Sequence, residues 1–306
     1  MVDAPRALGF WHLASLDAPT VAVVWSLAFA WASRIRLPVW LPLLLALVTW
    51  SIYVCDRLLD ARAGMRKTAC HTLRERHSFH WRHRRALLPL AIIAACAAAG
   101  IIFIFMPLVT RERDSVLAAA AFVYFSGVHS RSNTRLRRFR WPRSFPSKEF
   151  LVGIIFTAGC AMPAWNRRHL FVVGASALWT FWIPAIAYAA LAWLNCSCIA
   201  QWESAGASPL AIHLGRKGAF RHRQSNPPAI LIASLLLAGI DLSLAAAFAQ
   251  MHPRSAALLV AAGTSSLLLA LLNERSKRFP ALALRAAADL ALLTPLLLTP
   301  FYRAFR

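Results

Sequence analysis

Residues 38–60 read PVWLPLLLALVTWSIYVCDRLLD. No residue from Pro38 to Cys55 carries a charge, and Asp56, Arg57 and Asp60 then follow within one helical turn. A bilayer core takes about 20 mainly apolar residues in helical form, so this stretch predicts a membrane-crossing helix with an acidic tip. Eight further apolar runs lie at about 18–33, 86–107, 114–129, 149–165, 170–200, 228–250, 255–273 and 286–301. Pro184 falls inside the long run at 170–200 and predicts a kink there, or a helix that projects from the membrane.

Composition agrees. Of 306 residues, 59% are hydrophobic and 15% are charged, whereas an ordinary soluble domain carries about 25% charged residues. A disordered chain, a coiled coil and a soluble globule are thereby excluded. No soluble domain fits between the runs, so residues 1–306 are expected to form a single transmembrane domain. The formal charge is +22, from 34 Lys+Arg against 12 Asp+Glu. The basic residues sit in short segments between apolar runs, which points to anionic lipid headgroups and phosphate-bearing substrates rather than nucleic acid. The six cysteines contain no C-x-x-C pair and read as small apolar fillers.

Cytoplasmic loops of membrane proteins carry the excess of Lys and Arg. With the N-terminus inside and nine crossings, 24 Lys+Arg fall on the cytoplasmic side and 9 on the other, with Arg57 within a span. That bias predicts nine spans in an inner (plasma) membrane, with a cytoplasmic N-terminus and a C-terminus on the opposite side. The first 17 residues show no signal-peptide pattern.

Only 12 acids are present, so each can be weighed. Asp56, Asp60, Glu203, Asp241 and Asp289 lie within or beside apolar runs, and Glu149 opens one. Charge is expensive in lipid, so such residues face a cavity or a partner. Asp56 and Asp60 share a helix face about 6 Å apart, where two carboxylates repel by ~3 kcal/mol. A proton, an arginine or a divalent cation must offset this, and carboxylate oxygens suit Mg²⁺, which bridges readily to phosphates. The alternative is an ordinary helix end, with Asp60 in headgroup water and Asp56 paired to an arginine.

Asn195 and Glu203 lie close to one face at the end of the sixth run, which the span count also puts on the cytoplasmic side. Two polar helix ends, far apart in sequence, are therefore expected to face one compartment. The loop after Asp60 holds Arg62, Arg66, Lys67, Arg74, Arg76, His77, His80, Trp81, Arg82, His83, Arg84 and Arg85. It reads as lipid anchoring or as a funnel whose Arg forks meet phosphate. Arg131, Arg135, Arg137, Arg138 and Arg140 add to the charge. Lys148 stands at the mouth of the fifth run, to reach a diphosphate or to snorkel. Tyr53, Tyr124, Phe125 and Tyr188 are candidates to line an isoprenoid cavity, where aromatic faces stabilise an allylic cation. No phosphate loop, serine nucleophile elbow or dinucleotide glycine run is present.

These features resemble the UbiA superfamily of membrane prenyltransferases, which have nine transmembrane helices and the same orientation. Asp56 and Asp60 in DRLLD match the last two acids of its first motif, N-x-x-x-D-x-x-x-D. Asn195, Ile199 and Glu203 fall at the spacing of its second, D-x-x-x-D-x-x-x-D, and Ile52 stands where the first motif has Asn. Tyr124-Phe125-Ser126 followed by Arg135-Leu136-Arg137-Arg138 is similar to the stretch after the family's fourth helix. The resemblance implies an all-α, polytopic nine-helix bundle with a central cavity. It implies Mg-dependent transfer of a prenyl group from a polyprenyl diphosphate to a hydrophobic or aromatic acceptor. Asp56, Asp60 and Glu203 would then be catalytic and hold Mg²⁺. Arg57, Arg76, Lys148 and Asn195 would contact the diphosphate, although Arg57 is equally suited to pair with Asp56. The second reading is a non-catalytic UbiA-like protein that binds an isoprenoid or lipid. A transporter is a third class, but it lacks support from any internal repeat.

Overall fold

The computed structural model describes residues 4–67, 75–130, 148–168, 175–205 and 227–298. Cys70, Arg74 and the basic segment containing Arg131, Arg135, Arg137, Arg138 and Arg140 lie outside the described residues. Among the described residues the regular structure is all helical. The chain packs as two compact units. One comprises residues 1–147 with Ile155–Val173, and the other Lys148–Ile154 with Gly174–Arg306.

In the first unit, α1 (Ala4–Leu13) turns at Ser15 into α2 (Asp17–Ala32). There follow α3 (Trp40–Lys67), the short α4 (Glu75–Arg82), α5 (Arg84–Phe105) and α6 (Leu108–Ser130). The later part of α7 (Lys148–Arg168) completes the unit. α3 is its axis, packing on α2, α4 and α5. Leu44, Ala98 and Met106 form an apolar core there with Trp40, Leu47 and Val48 against Ile101 and Ile102. Small residues on α5 (Ala91, Ala94, Ala98) let its backbone approach α3. Ser51 Oγ, whose hydroxyl lies within hydrogen-bond reach of Ala91 O at 3.3 Å, marks that approach. α5 stops at Phe105 because Pro107 forces Met106 into the extended region (φ −90°, ψ 124°). The carbonyls exposed by that stop accept from Arg111, through Nε to Met106 O (2.7 Å) and Nη2 to Phe103 O (2.9 Å). Asn166 Nδ2 donates to Asp114 Oδ1 (2.8 Å) and ties α7 to α6.

In the second unit, α8 (Ala175–Ala205) is followed by α9 (Pro227–Phe248) and α10 (Pro253–Glu274). A short 3₁₀ turn (Ser276–Arg278), α11 (Ala281–Ala291) and a second 3₁₀ turn (Thr294–Leu298) close it. α9 and α10 form a tight hairpin, and α10 is its buried centre, with Leu258, Leu259 and Leu269 enclosed. Pro184 does not break α8, which runs unbroken through it. Proline has no N–H for the Thr180 carbonyl one turn back, and Ser255 Oγ of α10 donates to that carbonyl instead, at 2.9 Å. The cost of the proline is thus offset by a neighbouring helix.

Five helices are long and apolar enough to cross a membrane, over Trp40–Met65, Arg84–Phe105, Leu178–Glu203, Pro228–Phe248 and Pro253–Glu274. Large apolar side chains such as Ile93, Phe103, Ile104 and Leu236 point outward from them. This is the build of a membrane protein. The other four expected spans are also helical over most of their length. However, α2 has 16 residues and α11 only 11. α6 opens with Arg111, Glu112, Arg113 and Asp114, and α7 ends on Arg167 and Arg168. One detail of the loop-charge reading changes: Arg285, counted with the loop 274–285, is a buried residue within α11.

Candidate functional site

The acidic tip of α3 is built asymmetrically. A helix turns about 100° per residue, so Asp56 and Asp60 share a side, and Arg57 lies about 100° from Asp56 and about 60° from Asp60. Asp56 is half-buried and Asp60 exposed, whereas Arg57 is only 4% exposed. Its guanidinium donates through Nη1 to His12 O (2.7 Å) and Ser15 Oγ (2.9 Å), and through Nη2 to Asp17 Oδ2 (3.1 Å). The sequence left Arg57 as a diphosphate contact or a partner of Asp56; the structure places its charge on Asp17, forty residues earlier. Asp17 also accepts from Ala18 N–H at 2.9 Å and lies 2.6 Å from His12 Nδ1. Ser15 reaches this cluster from a left-handed turn (φ 60°). Trp50 Nε1 of α3 donates to Ala14 O at 3.0 Å and holds the same turn.

α4 closes the cluster from the other side. His80 is fully buried, with Nε2 3.1 Å from Ser15 Oγ and Nδ1 donating to Arg76 O at 2.8 Å. Burial, reinforced by the Arg57 and Arg76 charges, pushes His80 down from 6.5 to about 4. Its imidazole is therefore neutral in the fold at pH 7. Because the unfolded chain takes up the proton first, the stability His80 contributes is full above pH 6.5 and lost as pH falls to about 4. The unfolding midpoint of the detergent-solubilised protein is expected to drop across that window, and the drop should be shallower in His80→Gln. An unchanged slope in the variant would assign the acid sensitivity elsewhere.

The basic loop is thereby sorted. His77 and His80 turn inward, and Arg76 is half-buried. Arg82, His83 and Arg85 are exposed, while Arg84 stacks on Trp81 with its charge 4.4 Å from the ring centroid. That sorting divides a packing face from a face suited to anions.

The second polar region lies on α8. Asn195 is 6% exposed, and its Nδ2 donates to Asp289 Oδ1 of α11 at 3.3 Å. Glu203, near the end of α8, is ion-paired with Arg285, one turn before Asp289 on α11. α8 and α11 therefore meet through two polar rungs, and the opposite order of the pairs makes the helices antiparallel. Trp202 Nε1 adds a bond to Asn273 Oδ1 of α10 at 3.1 Å. The first turns of α7 join them at Gly153, where an added Cβ would lie 2.9 Å from Trp193 N and 3.0 Å from Ala189 O. This close crossing carries Lys148 and Glu149, together with Asp289, into electrostatic reach of Cys196.

The structure thus groups Asp56, Arg57, Asp60 and Arg76 in the first unit, and Lys148, Asn195 and Glu203 in the second. Asp17 and Arg285 are participants that the residues alone do not single out, whereas Asp289 is one of the acids expected to face a cavity or a partner. The Arg285–Asp289 spacing, one turn apart in an apolar run, was the available signal. As donors for Mg²⁺, Asp56 and Asp60 fit: they offer hard oxygens one turn apart, and the intervening arginine neutralises a different acid. Glu203 fits less well, because its carboxylate already lies on Arg285. Comparison of the chain with known protein families, with curated proteins and with solved structures finds no match.

Proposed function

We propose that the protein binds a polyprenyl diphosphate at the cytoplasmic face of a nine-span bundle with a central cavity and transfers its prenyl group to a hydrophobic or aromatic acceptor. The observation that carries this reading is the tip of α3, where two carboxylates one turn apart, Asp56 half-buried and Asp60 exposed, flank an arginine whose guanidinium donates to Asp17. Asp56 and Asp60 would hold Mg²⁺, which when bound offsets the diphosphate charge and makes it a better leaving group. Arg76 would supply further positive charge, and aromatic side chains would stabilise the allylic cation left behind. The loop-charge bias supports the cytoplasmic placement of the acidic tip.

The second reading, isoprenoid or lipid binding without catalysis, is favoured by one contact. Glu203 is the only acid of the second motif, and Arg285 occupies it. The test uses purified protein with Mg²⁺ and labelled farnesyl or geranylgeranyl diphosphate. Diphosphate release that disappears in Asp56→Ala and Asp60→Ala supports transfer. Binding without release supports the second reading, equal binding in all three proteins, with or without metal, rejects a diphosphate held by metal on Asp56 and Asp60, and no binding in any of them rejects both.

A further inference from the structure

Asp241 is enclosed within α9, a helix apolar enough to cross the membrane, and is 1% exposed. The buried stripe of α9 runs Ser234, Ala238, Asp241 and Ala245, a spacing of four, three and four residues that marks one helix face. Gly263 of α10 sits on that face: a Cβ there would lie 3.1 Å from Leu242 Cγ and 3.4 Å from Ala238 O. Ser266 follows Gly263 by three residues, on the same side of α10. Because the hairpin is antiparallel, Ser266 stands about 6 Å along the axis from Asp241. Each side chain leans toward the N-terminus of its own helix, and hence toward the other.

Two oxygens are left over in this contact. Asp241 Oδ2 and Ser266 Oγ are each buried with no hydrogen-bond partner among the described residues, and no described basic side chain pairs with Asp241. The helices packed here supply no positive charge at that depth. Asp241 is the only charged residue of α9, α10 is charged only at Arg254 and Glu274 near its ends, and α8 only at Glu203 near its end. An ionisable group inside a membrane-crossing helix calls for a partner. The site offers one formal negative charge, so a divalent cation would leave net charge in the membrane interior, whereas a monovalent one cancels it. A proton would neutralise Asp241 yet leave Ser266 Oγ unanswered. A small hard cation takes carboxylate and hydroxyl oxygens together.

We propose that Asp241 and Ser266 form an intramembrane site for Na⁺ between α9 and α10. The site lies wholly within the second unit and takes no part in the diphosphate chemistry proposed above, so either can fail without the other. About 10 Å of helix separates Asp241 from the turn that follows Phe248, the shorter way in for an ion.

The experiment measures binding of radioactive Na⁺ to the full-length purified protein in detergent, together with its unfolding midpoint in Na⁺ and in choline at equal ionic strength. Wild type is expected to bind Na⁺ saturably and to unfold at a higher temperature in Na⁺ than in choline. Asp241→Asn should weaken binding by about tenfold or more, because the ligand charge is removed, and should lose the Na⁺ effect on the midpoint. In choline its midpoint should equal or exceed that of wild type, because an uncompensated buried charge is gone; that separates lost binding from misfolding. Ser266→Ala keeps the charge and should weaken binding by about threefold to tenfold, the worth of one neutral polar contact, so it keeps the test decisive if Asp241→Asn is unstable. Asp56→Ala and excess Mg²⁺ should leave Na⁺ binding unchanged. A wild-type midpoint equal in Na⁺ and choline, without saturable Na⁺ binding, would mean that Asp241 carries only a proton and would overturn the site. Na⁺ binding that is unchanged in both Asp241→Asn and Ser266→Ala would overturn it as well, by placing the ion elsewhere.

Discussion

Arg57→Met is expected to destabilise the protein by about 3–5 kcal/mol, the loss that follows when one member of a buried ion pair is removed. Asp17 is 2% exposed, and the guanidinium is one of the groups that compensate its charge. Methionine retains much of the volume but leaves Asp17 Oδ2, Ser15 Oγ and the His12 carbonyl without the three bonds that Arg57 donates. Those three acceptors belong to α1, the α1–α2 turn and α2, so the loss spreads from α3 to all of them. Adding Asp17→Asn should restore part of the stability. The neutral amide oxygen can still accept from Ala18 N–H, and a coupling of about 1–3 kcal/mol is typical of groups in one network. Asp60→Ala, three residues further along the same motif, makes the contrast. Asp60 is exposed, so its loss should change stability by no more than about 0.5 kcal/mol, while abolishing Mg-dependent diphosphate binding if the proposed function holds. Unfolding monitored by tryptophan fluorescence in detergent measures all three variants. Equal midpoints for Arg57→Met and wild type would mean that the buried cluster does not hold the helices together.

This division within DRLLD shows what could and could not be read from residues alone. The helices were legible because apolar runs long enough for a bilayer leave few alternatives, and Pro107 and Pro253 mark a stop and a start in ways that proline chemistry requires. The i,i+4 relation of Asp56 and Asp60 follows from helical geometry. The partner of Arg57 does not, because an ion pair across forty residues has no period and no local signature. The same limit applies at α8. Asn195 and Glu203 were visible as one polar stripe, but Asp289 and Arg285, which meet them, come from a helix almost a hundred residues on. Arg285 was hidden further because a charged residue at the edge of an apolar run reads as loop until the half-buried acid beside it, Glu203, is found. Pro184 shows the reverse case. Local chemistry predicts a kink or a projecting helix; α8 is continuous through Pro184, and Ser255, on another helix, satisfies the carbonyl that the proline leaves without a donor.

Gly153→Ala is expected to destabilise the second unit by about 1–3 kcal/mol, as overpacking does in a filled interior. The new Cβ would stand 2.9 Å from Trp193 N, 3.0 Å from Ala189 O and 3.3 Å from Trp193 Cα. All three atoms are backbone, so no rotamer change relieves the clash and the helices themselves must separate. Close crossing at small residues is a main source of attraction between helices in lipid, so separation forfeits contacts along the whole crossing. Gly159→Ala, two turns on in α7, supplies the control. A Cβ there meets nothing within 4 Å, and alanine favours a helix over glycine by about 0.5–1 kcal/mol, so the second variant should gain stability where the first loses it. The opposite signs separate steric contact from helix propensity. Thermal unfolding of the two variants reads both signs, and a stabilising Gly153→Ala would show that α7 and α8 do not cross this closely.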